Sequence, residues 1–299
     1  MERSLEGQEI YVSSMEKSAQ EKLRVFPYVK SGIIVDMGAG AGPVTELLTH
    51  KFGDSKILAV DIAPTMVRRL KERFQGNPKV EVIEAKAEGF SYPTEVDSVL
   101  FVSTLHEVFS FNDYSHEEVI QTLARTKDLL KKGGRLIIRD GVQPEEETLY
   151  VRPIHPDAYR RFLKFVKDFK VRPLVYALGT WRGGDSFVQH KPKDFDEFVM
   201  GGFYIEMHSQ DVSELLSKYF YNEANWPVEL SEQYGIWTLR EYQKILLEIG
   251  FAIVHAETYV LPYLLQNHYS NDFEVFKLNN GGLTKAPYPP STMILVAEK

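Results

Sequence analysis

The 299-residue chain carries 35 Lys and Arg against 42 Asp and Glu, for a net charge of −7, with 43% hydrophobic residues. That balance is ordinary for a folded globular protein and argues against disorder and against a general nucleic-acid binder, which needs a basic surface. With no cysteine, a disulfide scaffold, a thiolate metal site and a cysteine nucleophile are excluded.

No run approaches the roughly 18 apolar residues that span a bilayer. The polar segment 1–18 reads as lacking the apolar run of a signal peptide, so a cytoplasmic location without membrane association is expected. Residues 33–37 form a short apolar run that ends in an acid and then glycines. Pro43 suits the first turn of a helix, with Val44, Leu47 and Leu48 following at helical spacing. A second run, 57–60, ends at Asp61, and Pro64 opens another helix with Val67, Leu70 and Phe74 on one face. Strands are predicted over 79–83 and 98–102. Ser115 with Glu118 forms a capping box for a helix that stops at Gly133, and a strand follows over 135–138. Strands alternating with helices of this length indicate βαβ units and a parallel sheet.

The alternation stops over 141–237 and resumes with a helix capped by Thr238 and Glu241, a strand over 251–260 and a last apolar run over 292–297. The interrupted stretch holds about half of the chain's aromatic residues, too many for a solvated loop, so it predicts a packed insertion with its own core. Inserted after the fifth strand, it is expected to cover the carboxyl ends of the sheet, where open α/β sheets bind ligands. Four regions follow: an N-terminal helical cap (1–30), an α/β core (31–140), a helical, aromatic-rich lid for substrate (141–237) and a C-terminal completion of the sheet (238–299).

The segment Asp36-Met37-Gly38-Ala39-Gly40-Ala41-Gly42 carries the chemistry. Its glycines permit positive φ and close approach of a ligand. Asp61, at the end of the next strand, can accept hydrogen bonds from both hydroxyls of a ribose. A dinucleotide fingerprint has G-x-G-x-x-G spacing with pyrophosphate on the helix N-terminus. Here the spacing is G-x-G-x-G, and the carboxylate of Asp36 beside it repels a pyrophosphate while suiting an ammonium and a sulfonium. This favours S-adenosylmethionine over NAD.

The sequence at this point resembles the class I S-adenosylmethionine-dependent methyltransferases, over roughly residues 33–140 and 238–299. Asp36 to Gly42 is similar to the family's glycine-rich first motif, and Asp61 to its ribose-binding acid, with Ile62 lying against the adenine. The stretch Glu84-Ala85-Lys86-Ala87-Glu88 departs from the usual Asp-Ala pair, since Lys86 takes the Asp position and the backbone N–H of Ala87 is left for the adenine. Residues 97–108, including Ser103, resemble the fourth motif, and 129–136 the glycine turn into the fifth strand. The resemblance implies a doubly wound, Rossmann-like α/β fold with a seven-stranded, mostly parallel sheet in the order 3-2-1-4-5-7-6. It implies S-adenosyl-L-methionine as cofactor, held by Asp36, Gly38, Ala39, Gly40, Asp61, Ile62, Lys86, Ala87 and Ser103. It also implies methyl transfer to an O, N or C nucleophile, and the acceptor is expected to be a small molecule, on which the motifs themselves are silent.

His106 and Glu107 follow the fourth strand and are candidate bases, with a loop or stacking role as the competing reading. His208, in the insertion, is a second candidate. No His and carboxylate spacing resembles a metal site, and none is expected. The basic window 151–193 reads as a solvated helix face or as a patch for an anionic acceptor, and an aromatic acceptor suits the insertion equally. Alternatives are an RNA or other macromolecular methyltransferase using that window, a nicotinamide-dependent oxidoreductase, and a non-catalytic cofactor-binding module. Acceptor identity and oligomeric state are not legible.

Overall fold

The computed structural model describes residues 19–182 and 186–299, with Gly7, Glu9, Ile10, Val12 and Ser13. The rest of the expected N-terminal cap lies outside the described residues. Among the described residues the strands of the first half are β1 Ile33–Met37, β2 Lys56–Asp61, β3 Val80–Glu84, β4 Val96–Val102, β5 Leu130–Gly141 and β6 Thr148–Pro153. Those of the second half are β7 Tyr176–Trp181, β8 Phe187–Gln189, β9 Phe203–His208, β10 Ala252–Tyr259, β11 Phe273–Asn279, β12 Gly282–Lys285 and β13 Thr292–Glu298. The principal helices are α1 Pro43–Lys51, α2 Pro64–Arg73, α3 Leu105–Ser110, α4 His116–Leu129, α5 Pro156–Asp168, α6 Phe195–Met200, α7 Ser209–Lys218 and α8 Leu239–Ile249. The chain divides into two compact units, one of Met1–Gly141, Leu239–Thr258 and Thr292–Lys299, the other of Val142–Thr238 and Tyr259–Ser291.

The first unit holds a seven-stranded sheet in the order β10-β13-β5-β4-β1-β2-β3, the expected order with β10 and β13 as its sixth and seventh strands. Strands β1 to β5 pair in parallel, and β13 runs antiparallel to β5, from Thr292 opposite Gly141 to Glu298 opposite Arg135. Continuous apolar runs make these central strands, because both of their faces are covered by helices. Ile34, Leu58, Val99, Leu100 and Ile137 are fully buried, and burial of each such side chain contributes about 1.5–3 kcal/mol. Pro43 opens α1 directly after Gly42, whose φ of 88° lies in the left-handed region. A Cβ on Gly42 would stand 2.7 Å from the Phe74 ring, so both the turn and the packing of α2 require glycine. The Ser115 hydroxyl accepts from the Glu118 N–H at 3.2 Å and starts α4 as expected.

The second unit departs from the expected helical insertion. It holds a six-stranded sheet in the order β12-β11-β6-β9-β7-β8, with the ladders β11–β12, β11–β6, β6–β9, β7–β9 and β7–β8 all antiparallel. The physical reason is a period of two: in β9 the residues Phe203, Ile205 and Met207 are buried while Tyr204 and Glu206 between them are half-buried. Helix α5 buries Ala158, Tyr159, Phe162 and Phe165, and with Phe198, Phe203, Tyr219 and Phe273 they form an aromatic core. Residues 259–291, expected to complete the first sheet, belong to this unit instead. Their β11–β12 hairpin turns on Asn280 and Gly281, at φ 48° and 76°, the positive pair that a two-residue type I′ turn demands.

Candidate active site

Three loops at the carboxyl ends of β1, β2 and β4 are tied together by hydrogen bonds. The N–H groups of Gly38 and Ala39 donate to the Val60 carbonyl at 2.8 and 2.9 Å, and the Gly40 N–H donates to the Asp61 carboxylate at 2.7 Å. Asp61 also accepts from the Ala63 N–H at 2.9 Å. Burial raises the Asp61 carboxyl against these backbone hydrogen bonds. The Thr104 hydroxyl donates to the Met37 carbonyl at 2.9 Å, which draws the loop after β4 onto the end of β1. A Cβ on Gly38, at φ 71°, would stand 2.5 Å from the Thr104 methyl, so this loop needs glycine for sterics as well as conformation.

A cleft opens beside these loops. Its lining includes Met37, Gly38, Asp61, Ile62 and the run 85–88, together with Thr104, Glu107 and Val108. Ile62 is 54% exposed, an apolar surface for a flat ring next to a carboxylate placed for a ribose. Lys86 is exposed and lines the cleft through the same run. The donors and acceptors present therefore fit an adenosine.

Asp36 lies behind the loop, 2% exposed, with its carboxylate accepting from the Thr45 hydroxyl at 2.6 Å. Burial pushes its carboxyl up to about 6, against the lowering effects of Thr45 and of the Lys22 charge. A raised carboxyl binds its proton more tightly folded than unfolded, so Asp36 detracts from stability once pH rises past about 4 and fully above about 6. An Asp36→Asn variant is therefore expected to be about 2–3 kcal/mol more stable at pH 7.5, with no gain below pH 4, and to bind S-adenosylhomocysteine more weakly. Thermal melting at the two pH values checks this; a lower Tm for the variant at pH 7.5 would contradict it.

The residue that sequence reasoning missed is Asp140, near the end of β5. One of its carboxylate oxygens accepts from the N–H groups of Thr104, Leu105 and His106 at 3.0, 2.6 and 3.3 Å, which closes the N-terminus of α3. The other lies 2.6 Å from His106 Nδ1. Burial alone would raise the Asp140 carboxyl. The charge and hydrogen bond of His106, with the N–H groups of Gly141 and Thr104, outweigh it and hold the carboxyl below its usual range. This arrangement puts the proton on Nδ1 and leaves the lone pair on Nε2. Adjacent Glu107 faces the cleft.

Ser103 sits at φ 60°, its N–H donating to the Arg139 carbonyl at 2.7 Å and its hydroxyl accepting from Arg139 Nη1 at 3.0 Å. Its polar groups thus hold the loop. His208 closes β9 in the second unit, half exposed and 4.0 Å from Glu146. In the basic window, Arg161 donates to the Tyr219 carbonyl at 2.9 Å and Lys164 pairs with Glu223 at 3.2 Å. Arg152 pairs with Glu274 at 2.5 Å, and Arg172 with Asp211.

Fold and site together define an α/β enzyme that binds a nucleoside-containing cofactor at the carboxyl ends of its parallel strands. The family model described as a methyltransferase domain matches residues 34–134. The chain is 32% identical over 199 residues to a trans-aconitate 2-methyltransferase of Rhodopseudomonas palustris, covering 62% of this chain and 73% of that relative. It is 31% identical over 107 residues to a malonyl-[acyl-carrier protein] O-methyltransferase of a Paenibacillus species, covering 35% of this chain and 37% of the relative. Its fold is also that of an O-methyltransferase family 2 protein from Planctomyces limnophilus, at TM-score 0.50 and 12% identity, covering 99% of this chain and 62% of that one. The chain belongs to the class I S-adenosylmethionine-dependent methyltransferases, and S-adenosylmethionine is its cofactor. No helix among the described residues is long and apolar enough to cross a membrane.

Proposed function

We propose that the chain methylates a hydroxyl oxygen of a small molecule, with His106, held by Asp140, as the general base. The observation that carries this reading is the 2.6 Å bond between His106 Nδ1 and a buried carboxylate. When bound, the cofactor supplies a methyl group already activated on a positively charged sulfonium. What remains for the protein is to align an acceptor oxygen and to remove its proton. His106 takes that proton on Nε2, and Asp140 stabilises the imidazolium that forms. Glu107, lining the cleft, orients the acceptor. Asp36, Gly38, Ala39, Gly40, Asp61, Ile62, Lys86 and Ala87 hold the cofactor, and Ser103 braces the loop that carries His106.

The second unit carries the acceptor specificity in this reading. The ion pairs and backbone contacts of Arg152, Arg161, Lys164 and Arg172 favour a solvated structural face over an RNA surface. A second reading, methylation of a carboxylate, is favoured by the similarity to a trans-aconitate 2-methyltransferase, and it needs no base because a carboxylate is already deprotonated.

The test is transfer of labelled methyl from S-adenosylmethionine to three acceptor panels: hydroxylated aromatic and aliphatic acids, carboxylic acids without hydroxyls, and total RNA. Turnover confined to the hydroxylated panel, with label recovered as a base-stable ether, is the expected result. Label recovered as a base-labile ester, or in RNA, would replace this reading.

A further inference from the structure

Lys22 is a charged side chain for which the reaction described so far has no use. It ends the helical turn Ala19–Lys22, and the next segment, Leu23–Tyr28, is anchored by buried Val25 and Phe26. Only 6% of Lys22 is exposed, and its ammonium makes no hydrogen bond or ion pair among the described residues. Lysines this deeply buried are almost always paired, because desolvation of an unpaired ammonium is costly. Here burial, then the charge of Arg139, lowers the ammonium to about 8, while the fields of Asp36, Glu21 and Asp140 resist the fall. The position is also fixed: neighbouring Glu21 pairs with Arg139 Nη2 at 2.7 Å, next to Asp140 on β5.

The turn Ala19–Lys22 packs against α1, whose Thr45 hydroxyl donates to Asp36. Asp36 immediately precedes Met37 and Gly38 of the cleft lining, and Ile62 and Ala85 to Glu88 line the same cleft. The cofactor is long enough to run between them, and its far end is an amino acid that carries one ammonium and one carboxylate. Asp36 suits the ammonium, and the carboxylate calls for a cation. We propose that Lys22 binds the carboxylate of the cofactor's amino-acid end. The N-terminal segment thereby becomes part of the cofactor site, and it orders the amino-acid end without touching the acceptor.

The experiment compares two probes by isothermal titration: S-adenosylhomocysteine, and 5′-methylthioadenosine, the same nucleoside thioether without the amino-acid end. Wild type, Lys22→Met and Lys22→Arg are titrated, and each is melted without ligand. Loss of one charge-assisted hydrogen bond predicts about 10- to 100-fold weaker S-adenosylhomocysteine binding to Lys22→Met, with most of it restored in Lys22→Arg. Binding of 5′-methylthioadenosine is expected to stay within about twofold of wild type, since none of its groups meets Lys22. Equal weakening of both probes would show that Lys22 only shapes the fold, and the proposal fails. Unchanged S-adenosylhomocysteine binding overturns it too, as does tighter binding, the latter meaning that Lys22 competes with the cofactor's ammonium for Asp36. If wild type binds neither probe, it is the cofactor assignment that fails, an outcome distinct from the other three.

Discussion

Replacing His106 with Asn is expected to lower kcat for a hydroxyl acceptor by about 10²–10⁴-fold, while the affinity for S-adenosylhomocysteine changes little. The separation follows from geometry: the cleft lining comes from Met37, Gly38, Asp61, Ile62 and the run 85–88, whereas His106 is tied to Asp140. Asp140→Asn is expected to produce a drop of similar size. An Asn side chain can keep accepting from the Thr104 and Leu105 N–H groups, but its amide N–H faces Nδ1 and forces the proton onto Nε2, the atom that must accept. The acid limb of the wild-type pH–rate profile should vanish in His106→Asn. A kcat within about threefold of wild type for both variants would mean that His106 is not the base for that acceptor. Asp140 has a consequence for stability as well. Its carboxyl is depressed, so the stability it contributes is fully present above the unfolded carboxylate range and is lost as pH falls below about 4.

Asp61→Ala is expected to weaken S-adenosylhomocysteine binding by about 10²–10⁴-fold, because two charge-assisted hydrogen bonds to ribose disappear together. The carboxylate is aimed by two backbone donors, Gly40 N–H at 2.7 Å and Ala63 N–H at 2.9 Å. Removing it also frees the glycine loop from one of its ties to β2. Titration calorimetry on the folded variant, with an NAD control, measures both effects. The same titration separates the cofactor assignment from the nicotinamide alternative, since NAD is expected not to bind either protein. Affinity within about threefold of wild type would show that the ribose is held elsewhere.

Much of the first unit was legible from local chemistry. Pro43 and Pro64 opened helices and Ser115 capped one. Continuous apolar runs marked buried parallel strands. The glycines and Asp61 came together because their partners lie on consecutive strands, within a spacing that a single βαβ unit fixes. The stretch 141–237 reads as helical and 259–291 as part of the first sheet, whereas both contribute to the second, antiparallel sheet, with Asn280-Gly281 as the turn of one hairpin. Its antiparallel ladders join distant stretches, such as Phe273 opposite Pro153, and helical segments such as α5 and α7 between them mask the period of two.

The amino-acid sequence by itself determined the class of fold and the glycine loop, because glycine conformation, proline and apolar period act over a few residues; the strand order came only with the family resemblance. Tertiary structure alone decided that Asp140 bonds His106 and that the turn ending in Lys22 packs against α1 beside the glycine loop. In the sequence Asp140 is only an acid at a strand end and Lys22 only a cation near the N-terminus. Their roles exist because β4 and β5 are neighbours in the sheet, and because the segment that follows Lys22 is anchored by Val25 and Phe26. Desolvation and hydrogen-bond direction then act between groups that the chain separates by 34 positions in one pair, which no local pattern encodes.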